Sequence, residues 1–262
     1  MSNTEQLVRV EQRGPVAWLV IDSPANRNAL GGPVLAGLVF GLKGALASPD
    51  VRVIVLTATG NVFSSGADLR DTTDLAVIEQ AYRDLFGGIL DADKPVVARI
   101  NGHCFGGAIG LAAVCDLSVT DDKAIFSFSE VRLGRTATLA SVVSLPRLRP
   151  GDAAELLLRG TRIDGSRAAA LGLVNKSVPG DQLDAEIDDI VTDLLAGGPM
   201  ALANTKQLIR QVPLITQDEA WDLAFQITRE TAGSAEAIEG TAAFREKRAP
   251  IWPALAPRDR AR

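Results

Sequence analysis

Residues 95 to 116, PVVARINGHCFGGAIGLAAVCD, constrain the fold more than any other stretch. Pro95 to Ile100 reads as a short apolar strand, Asn101-Gly102 as a tight turn, and Gly106-Gly107 as the opening of an apolar helix from about Ala108 to Cys115. Glycines at a strand-to-helix turn let the backbone approach a ligand without an intervening Cβ, and the first N–H groups of a helix have no intrahelical acceptor. Such a turn is a donor pocket made of backbone. At the positive end of a helix it can hold a carbonyl oxygen that gains negative charge during a reaction. The same glycines also permit close strand-to-helix packing, and this stretch alone leaves both readings open.

The flanking segments predict a mixed α/β fold. Residues 7 to 13 and 16 to 21 read as a hairpin about Arg13-Gly14-Pro15. Val34, Leu35, Leu38, Val39, Leu42 and Leu46 recur at helical spacing and predict a helix from about Asn28, closed by Ser48-Pro49-Asp50. VRVIVLT at 51 to 57 is a β-branched run of the kind buried on both faces of a sheet. Beyond Thr59-Gly60-Asn61 comes FSSGADL at 63 to 69, where Gly66 allows a sharp turn and Ala67 is small enough for its N–H to face a ligand. An ordinary loop capped by serines and Asp68 fits that segment too. Residues 71 to 91 are polar and helical in period with few anchors, so a mobile segment is expected there. A strand over Leu117 to Thr120 and an extended segment over Ala124 to Leu133 follow. From Ala153 on, helices dominate, over 153–158, 166–171, 182–195, 202–212, 218–231 and 235–247, with no fixed-period repeat.

Within AIFSFSEVRL, alternation places Phe126, Phe128, Glu130 and Arg132 on one face. A carboxylate beside two phenylalanines is partly desolvated, which raises its pKa toward the range where it exchanges protons near neutrality. The competing reading is a solvent-facing Glu130 paired with Arg132.

Composition narrows the chemistry. The chain has 262 residues, about half of them apolar, and can bury a sizeable core. A net charge of −5 without a basic stripe argues against nucleic acid or an anionic membrane as partner. MSNTEQLVRVEQ has no signal-peptide pattern and no apolar run is long enough to span a bilayer, so a cytoplasmic protein is expected. Cys104 and Cys115 are expected to be reduced and mostly buried. With a single histidine, His103, HExxH and the metal clusters that need two imidazoles or a thiolate set are removed, and no metal site is expected. G-x-S-x-G, P-loop and G-x-G-x-x-G motifs are missing as well. A turn histidine satisfied by backbone is expected at His103 rather than a catalytic one.

FSSGADL at 63–69, INGHCFGGAIGLAAVCD at 100–116 and FSEVRLG at 128–134, taken in order, resemble the crotonase superfamily of enoyl-CoA hydratases and isomerases. Ser23-Pro24 through Leu30 and Phe244 through Pro250 extend the resemblance over nearly the whole chain. It implies an α/β fold, a crotonase-like spiral of ββα units over 1–198, with a helical C-terminal region over 199–262 that mediates a homotrimer or hexamer. It also implies an acyl-CoA thioester substrate, coenzyme A being part of that substrate and no separate cofactor being needed. By motif position the N–H groups of Ala67 and Gly107 hold the thioester oxygen and Glu130 transfers protons. Ala25, Arg27, Asp68, Leu69, Phe244 and Lys247 fall where the family holds coenzyme A, and Gly106, Gly110 and Thr138 are further substrate-binding candidates. The tail of one subunit reaches the neighbouring subunit's CoA in many members.

Two departures stand out. Gly110 occupies the position of the first glutamate of well-studied hydratases, leaving one carboxylate, and Gly134-Arg135-Thr136-Ala137-Thr138 lacks the family's usual proline. The first of these, together with SEVRLG, also resembles a branch acting on branched or carboxylated enoyl-CoA substrates such as methylglutaconyl-CoA. The activity so implied is hydration of a 2-enoyl-CoA. The alternatives are 3-enoyl-CoA to 2-enoyl-CoA isomerisation, or a CoA-binding subunit with weak catalysis.

Overall fold

The computed structural model describes residues 7–253. The outer ends of the two expected regions, 1–6 and 254–262, lie outside the described residues, as does the first half of the N-terminal segment read above for a signal peptide. Strands β1 (Val8–Arg13) and β2 (Val16–Ile21) form the expected hairpin, with Val8 opposite Ile21 and Arg13 opposite Val16. A 3-10 turn at Pro24–Asn26 leads into helix α1 (Gly32–Ala47), which starts later than the expected Asn28. The reason is the use made of Asn28. Fully buried and at φ 54°, it donates its side-chain amide to the carbonyls of Thr59 (2.9 Å) and Val62 (2.8 Å) and accepts the N–H of Ser23 (2.9 Å). A side chain that ties three backbone segments together holds its own residue outside the helix.

A strand-strand-helix unit then repeats. It comprises β3 (Val53–Ala58), β4 (Val62–Ser64) and α2 (Leu75–Leu90), then β5 (Val96–Ile100), β6 (His103–Phe105) and α3 (Gly107–Val114). The third unit is β7 (Leu117–Asp121) and β8 (Ile125–Ser127), followed by a 3-10 helix at Ser129–Leu133 and α4 (Thr138–Ser144). Next come α5 (Pro150–Arg159), β9 (Ile163–Asp164), α6 (Gly165–Ala170), β10 (Lys176–Val178), α7 (Leu183–Ala196), α8 (Pro199–Gln211), α9 (Gln217–Thr231) and α10 (Ala235–Glu246). The first strands of the units join one sheet of order β1-β2-β3-β5-β7-β10, and the second strands a smaller one of order β4-β6-β8-β9. This is the expected spiral of ββα units.

Alternation along β2 and β3 explains why the large sheet is covered twice. Ala17, Leu19, Ile21, Ile54 and Leu56 face the core shared with α1, α2 and α3, whereas Val16, Trp18, Val20, Val53 and Val55 pack with Leu183 and Ile187 of α7. Three expectations need correction. The extended segment ends at Ser127 and continues as a 3-10 helix; residues 62–64 and 103–105 are strands; and α2 is anchored by buried Tyr82, Leu85, Phe86 and Ile89. No helix among the described residues is long and apolar enough to cross a membrane.

Lys94, only 9% exposed, fixes the C-terminal end of α1 to the start of β5. Its ammonium donates to the carbonyls of Ala45 (2.9 Å), Leu46 (2.9 Å) and Ser48 (2.6 Å), which otherwise lack helical partners. Replacing it with an apolar chain of similar length strands the Ala45 and Leu46 carbonyls, while that of Ser48 keeps the N–H of Val51 (3.3 Å). Lys94→Met should cost about 2–4 kcal/mol and lower the urea midpoint at unchanged m-value; an unchanged midpoint would refute the capping role.

Candidate active site

β4, β6 and β8 are neighbours running in one direction, and each ends in one of the three motifs. β4 delivers Ser65-Gly66-Ala67, β6 delivers Gly106-Gly107, and β8 delivers the 3-10 helix that carries Glu130. Adjacent strands lie about 4.8 Å apart, so residues distant in sequence meet at one sheet end.

The turns touch. Gly66 has φ 85°, and a Cβ there would lie 2.7 Å from the Phe105 carbonyl oxygen and 3.5 Å from the Gly107 nitrogen. Its N–H donates to Ser64 Oγ (3.1 Å) and its carbonyl accepts the N–H of Leu30 (2.8 Å), while the Ser65 N–H donates to the Arg27 carbonyl (3.0 Å). Gly106, at φ 53°, donates its N–H to the Ser127 carbonyl (3.0 Å), and a Cβ on it would lie 3.0 Å from Glu130 Cδ. Both glycines are therefore required by close approach as well as by backbone angle. The Gly107 N–H is the first of α3 and has no intrahelical acceptor. The Ala67 N–H makes none of the hydrogen bonds that hold its turn. Two donors at the contact are left without an acceptor among the described residues.

Glu130 lies over Gly106, and Phe126 and Phe128, which precede it in the chain, are buried. Its Oε2 is buried without a hydrogen-bond partner among the described residues, and burial lifts its pKa above the ordinary carboxylate range. The competing pair does not form, because exposed Arg132 donates to the Arg159 carbonyl (3.2 Å). His103 accepts the N–H of Ile125 at Nδ1 (3.0 Å), the structural role expected of it. Cys104 and Cys115 are free and buried.

The remaining candidates divide by position. Exposed Ala25 and Arg27 flank Asn26, whose amide reaches Asp68 (3.5 Å), and the Arg27 carbonyl holds Ser65, so this loop and Asp68-Leu69 sit together beside the Ala67 turn. Thr138 is exposed at the start of α4. Phe244, 85% exposed, and Lys247 stand apart on and just after α10, which is tied to the start of α8 through Glu236 and the N–H groups of Met200 and Ala201 (both 2.8 Å). Gly110 offers no open space, since a Cβ there would meet Ala140 Cα at 2.8 Å and Phe86 Cε2 at 3.3 Å. The wall expected beside it is filled by α4 and α2.

Two contributors were not legible locally. Asp71 accepts the N–H groups of Gly32 and Thr73 and the Thr73 hydroxyl, stapling the loop after Ala67 to the start of α1; these bonds lower its pKa. Tyr82 brings its hydroxyl to 2.9 Å from where a Gly107 Cβ would sit. No group of three or more His, Cys, Asp or Glu side chains able to hold a metal ion occurs among the described residues.

Residues 11–254 match the family model described as enoyl-CoA hydratase/isomerase. A putative enoyl-CoA hydratase of Thermus thermophilus is 34% identical over 253 residues, covering 93% of this chain and 99% of the relative. A carnitinyl-CoA dehydratase of Citrobacter koseri is 30% identical over 251 residues, covering 92% and 96%. Among solved structures, an enoyl-CoA hydratase of Mycobacterium smegmatis superposes with a TM-score of 0.89 at 29% identity, covering 95% of this chain and 99% of the other.

The unpaired carboxyl makes a prediction for stability. Glu130 holds its proton more tightly folded than unfolded, so its ionisation costs stability as pH rises through the raised native pKa, and nothing below the unfolded value. Glu130→Gln removes that cost. Its thermal midpoint should exceed the wild type's at neutral pH, with the gap closing toward acid; a midpoint at or below wild type throughout would contradict a carboxyl whose pKa is raised by burial.

Proposed function

We propose a water-adding reaction for this chain, starting from its family: it belongs to the enoyl-CoA hydratase/isomerase family. The substrate is a 2-enoyl-CoA thioester, its carbonyl oxygen accepting hydrogen bonds from the N–H groups of Ala67 and Gly107. As a water oxygen bonds to C3, one water proton passes to Glu130 and the C2–C3 π pair shifts to give an enolate. Its oxygen is stabilised by the two fixed donors in a site of low polarity. Glu130 then returns the proton to C2, so one carboxylate closes the cycle. The observation that carries this reading is a buried carboxyl oxygen with no partner, beside two backbone donors with no acceptor, among the described residues. The names of the Thermus and Citrobacter relatives, a hydratase and a dehydratase, support addition or removal of water.

Coenzyme A would extend past the loop of Ala25 and Arg27 and past Asp68-Leu69, which border the donor turn. A second reading is favoured by the filled wall at Gly110. With Glu130 as sole base, the same site would take a proton from C2 of a 3-enoyl-CoA and return it to C4.

Proton NMR of the purified protein with a short 2-enoyl-CoA and, separately, a 3-enoyl-CoA in deuterated water separates the readings. The expected product is a 3-hydroxyacyl-CoA, with Glu130→Gln slower by about two orders of magnitude or more at similar affinity. Double-bond migration without a hydroxyl product would overturn hydration in favour of isomerisation.

A further inference from the structure

The chain has one tyrosine, and the fold spends it at the donor turn. Tyr82 is 4% exposed, its ring edge-on to Phe86 with centroids 5.4 Å apart at 89°. These residues are four apart on one face of α2, and they meet Gly107 and Gly110, three apart on one face of α3. The Phe86 edge and Ala140 close the space where a carboxylate on residue 110 would stand, while the Tyr82 hydroxyl ends one turn earlier, beside Gly107. Along this wall the phenol is the polar side-chain group. Its hydroxyl makes no hydrogen bond to another described residue, and it is not among the fully buried unpartnered atoms. The hydroxyl and the Glu130 carboxyl lie against neighbouring residues of one turn, Gly107 and Gly106. Burial, and then the Glu130 charge, raise its pKa, so the phenol stays neutral while Glu130 ionises.

We infer that Tyr82 is a catalytic residue whose Oη accepts one hydrogen of the attacking water, aiming a water lone pair at C3 while Glu130 receives the other proton. Tyr82 moves no proton itself. The O–C3 bond forms, the water O–H bond toward Glu130 breaks, the π pair becomes the enolate, and the proton on Glu130 ends on C2. A second acceptor of this kind takes over the water-orienting part of a second carboxylate, without placing a second charge in the site. This assignment rests on the hydration reading.

Tyr82→Phe keeps the ring, its contact with Phe86 and the packing of α2. Two activities of the whole protein separate the hydroxyl from the scaffold: hydration of a 2-enoyl-CoA, and C2 hydrogen–deuterium exchange of a saturated acyl-CoA in deuterated water. The exchange needs Glu130 and the two donors but no attacking water. Tyr82→Phe should lower kcat for hydration by about 10-fold or more, with KM and the exchange rate within about twofold. Hydration within twofold of wild type, or equal loss of both activities, would overturn the role. A wild type that exchanges C2 but never hydrates would instead overturn the hydration reading itself, and this role with it.

Discussion

The parallel alignment of β4, β6 and β8 is the constraint on which the site depends. Because the three strands run the same way in adjacent positions, their ends meet at one level, and the turns after them are forced together. Contact that close is open only to residues without a Cβ. Gly66 would drive a side chain into the Phe105 carbonyl and Gly106 into the Glu130 carboxyl. The strands supply position, and the glycines supply the missing volume. Out of that contact come two N–H groups with no acceptor and one carboxyl oxygen with no donor among the described residues.

Such a site is costly to stability, and the rest of the molecule offsets the cost. A carboxyl whose pKa is raised by burial, as that of Glu130 is, destabilises the native state at neutral pH. Around it, polar side chains fasten the loops that would otherwise drift: Asn28 holds the entry loop to the mouth of β4, Asp71 holds the loop after Ala67 to α1, and Lys94 closes the far end of α1. Each side chain satisfies several backbone groups at once. Together with a large sheet covered on both faces, they give the turns a rigid support, and electrostatic stabilisation of a charged intermediate needs donors that do not reorganise.

Much of the fold and of the donor geometry was legible in sequence, for reasons particular to each segment. The hairpin, the doubly buried run at 51–57 and the C-terminal helices have strong periodicity, and Gly66, Gly106 and Glu130 announced themselves by residue type beside apolar runs. The three-residue strands β4 and β6 did not, because they are too short for alternation to register. Alternation was carried too far beyond Ser127, where the chain coils into a 3-10 helix ended by Gly134 in the left-handed region. Tyr82 was hidden for a different reason. Its partners, Gly107 and Glu130, come from other units of the spiral, and local spacing holds no record of contacts between units.

The central claim is that two backbone donors polarise the thioester carbonyl. Its most direct test is the carbon-13 NMR resonance of a saturated acyl-CoA labelled at the thioester carbonyl, free and bound to the protein. Polarisation by Ala67 and Gly107 predicts a downfield shift on binding, and a smaller one with Ala67→Pro, which has no N–H to donate. A bound carbonyl that resonates where the free one does, or a shift that Ala67→Pro retains in full, would contradict the account.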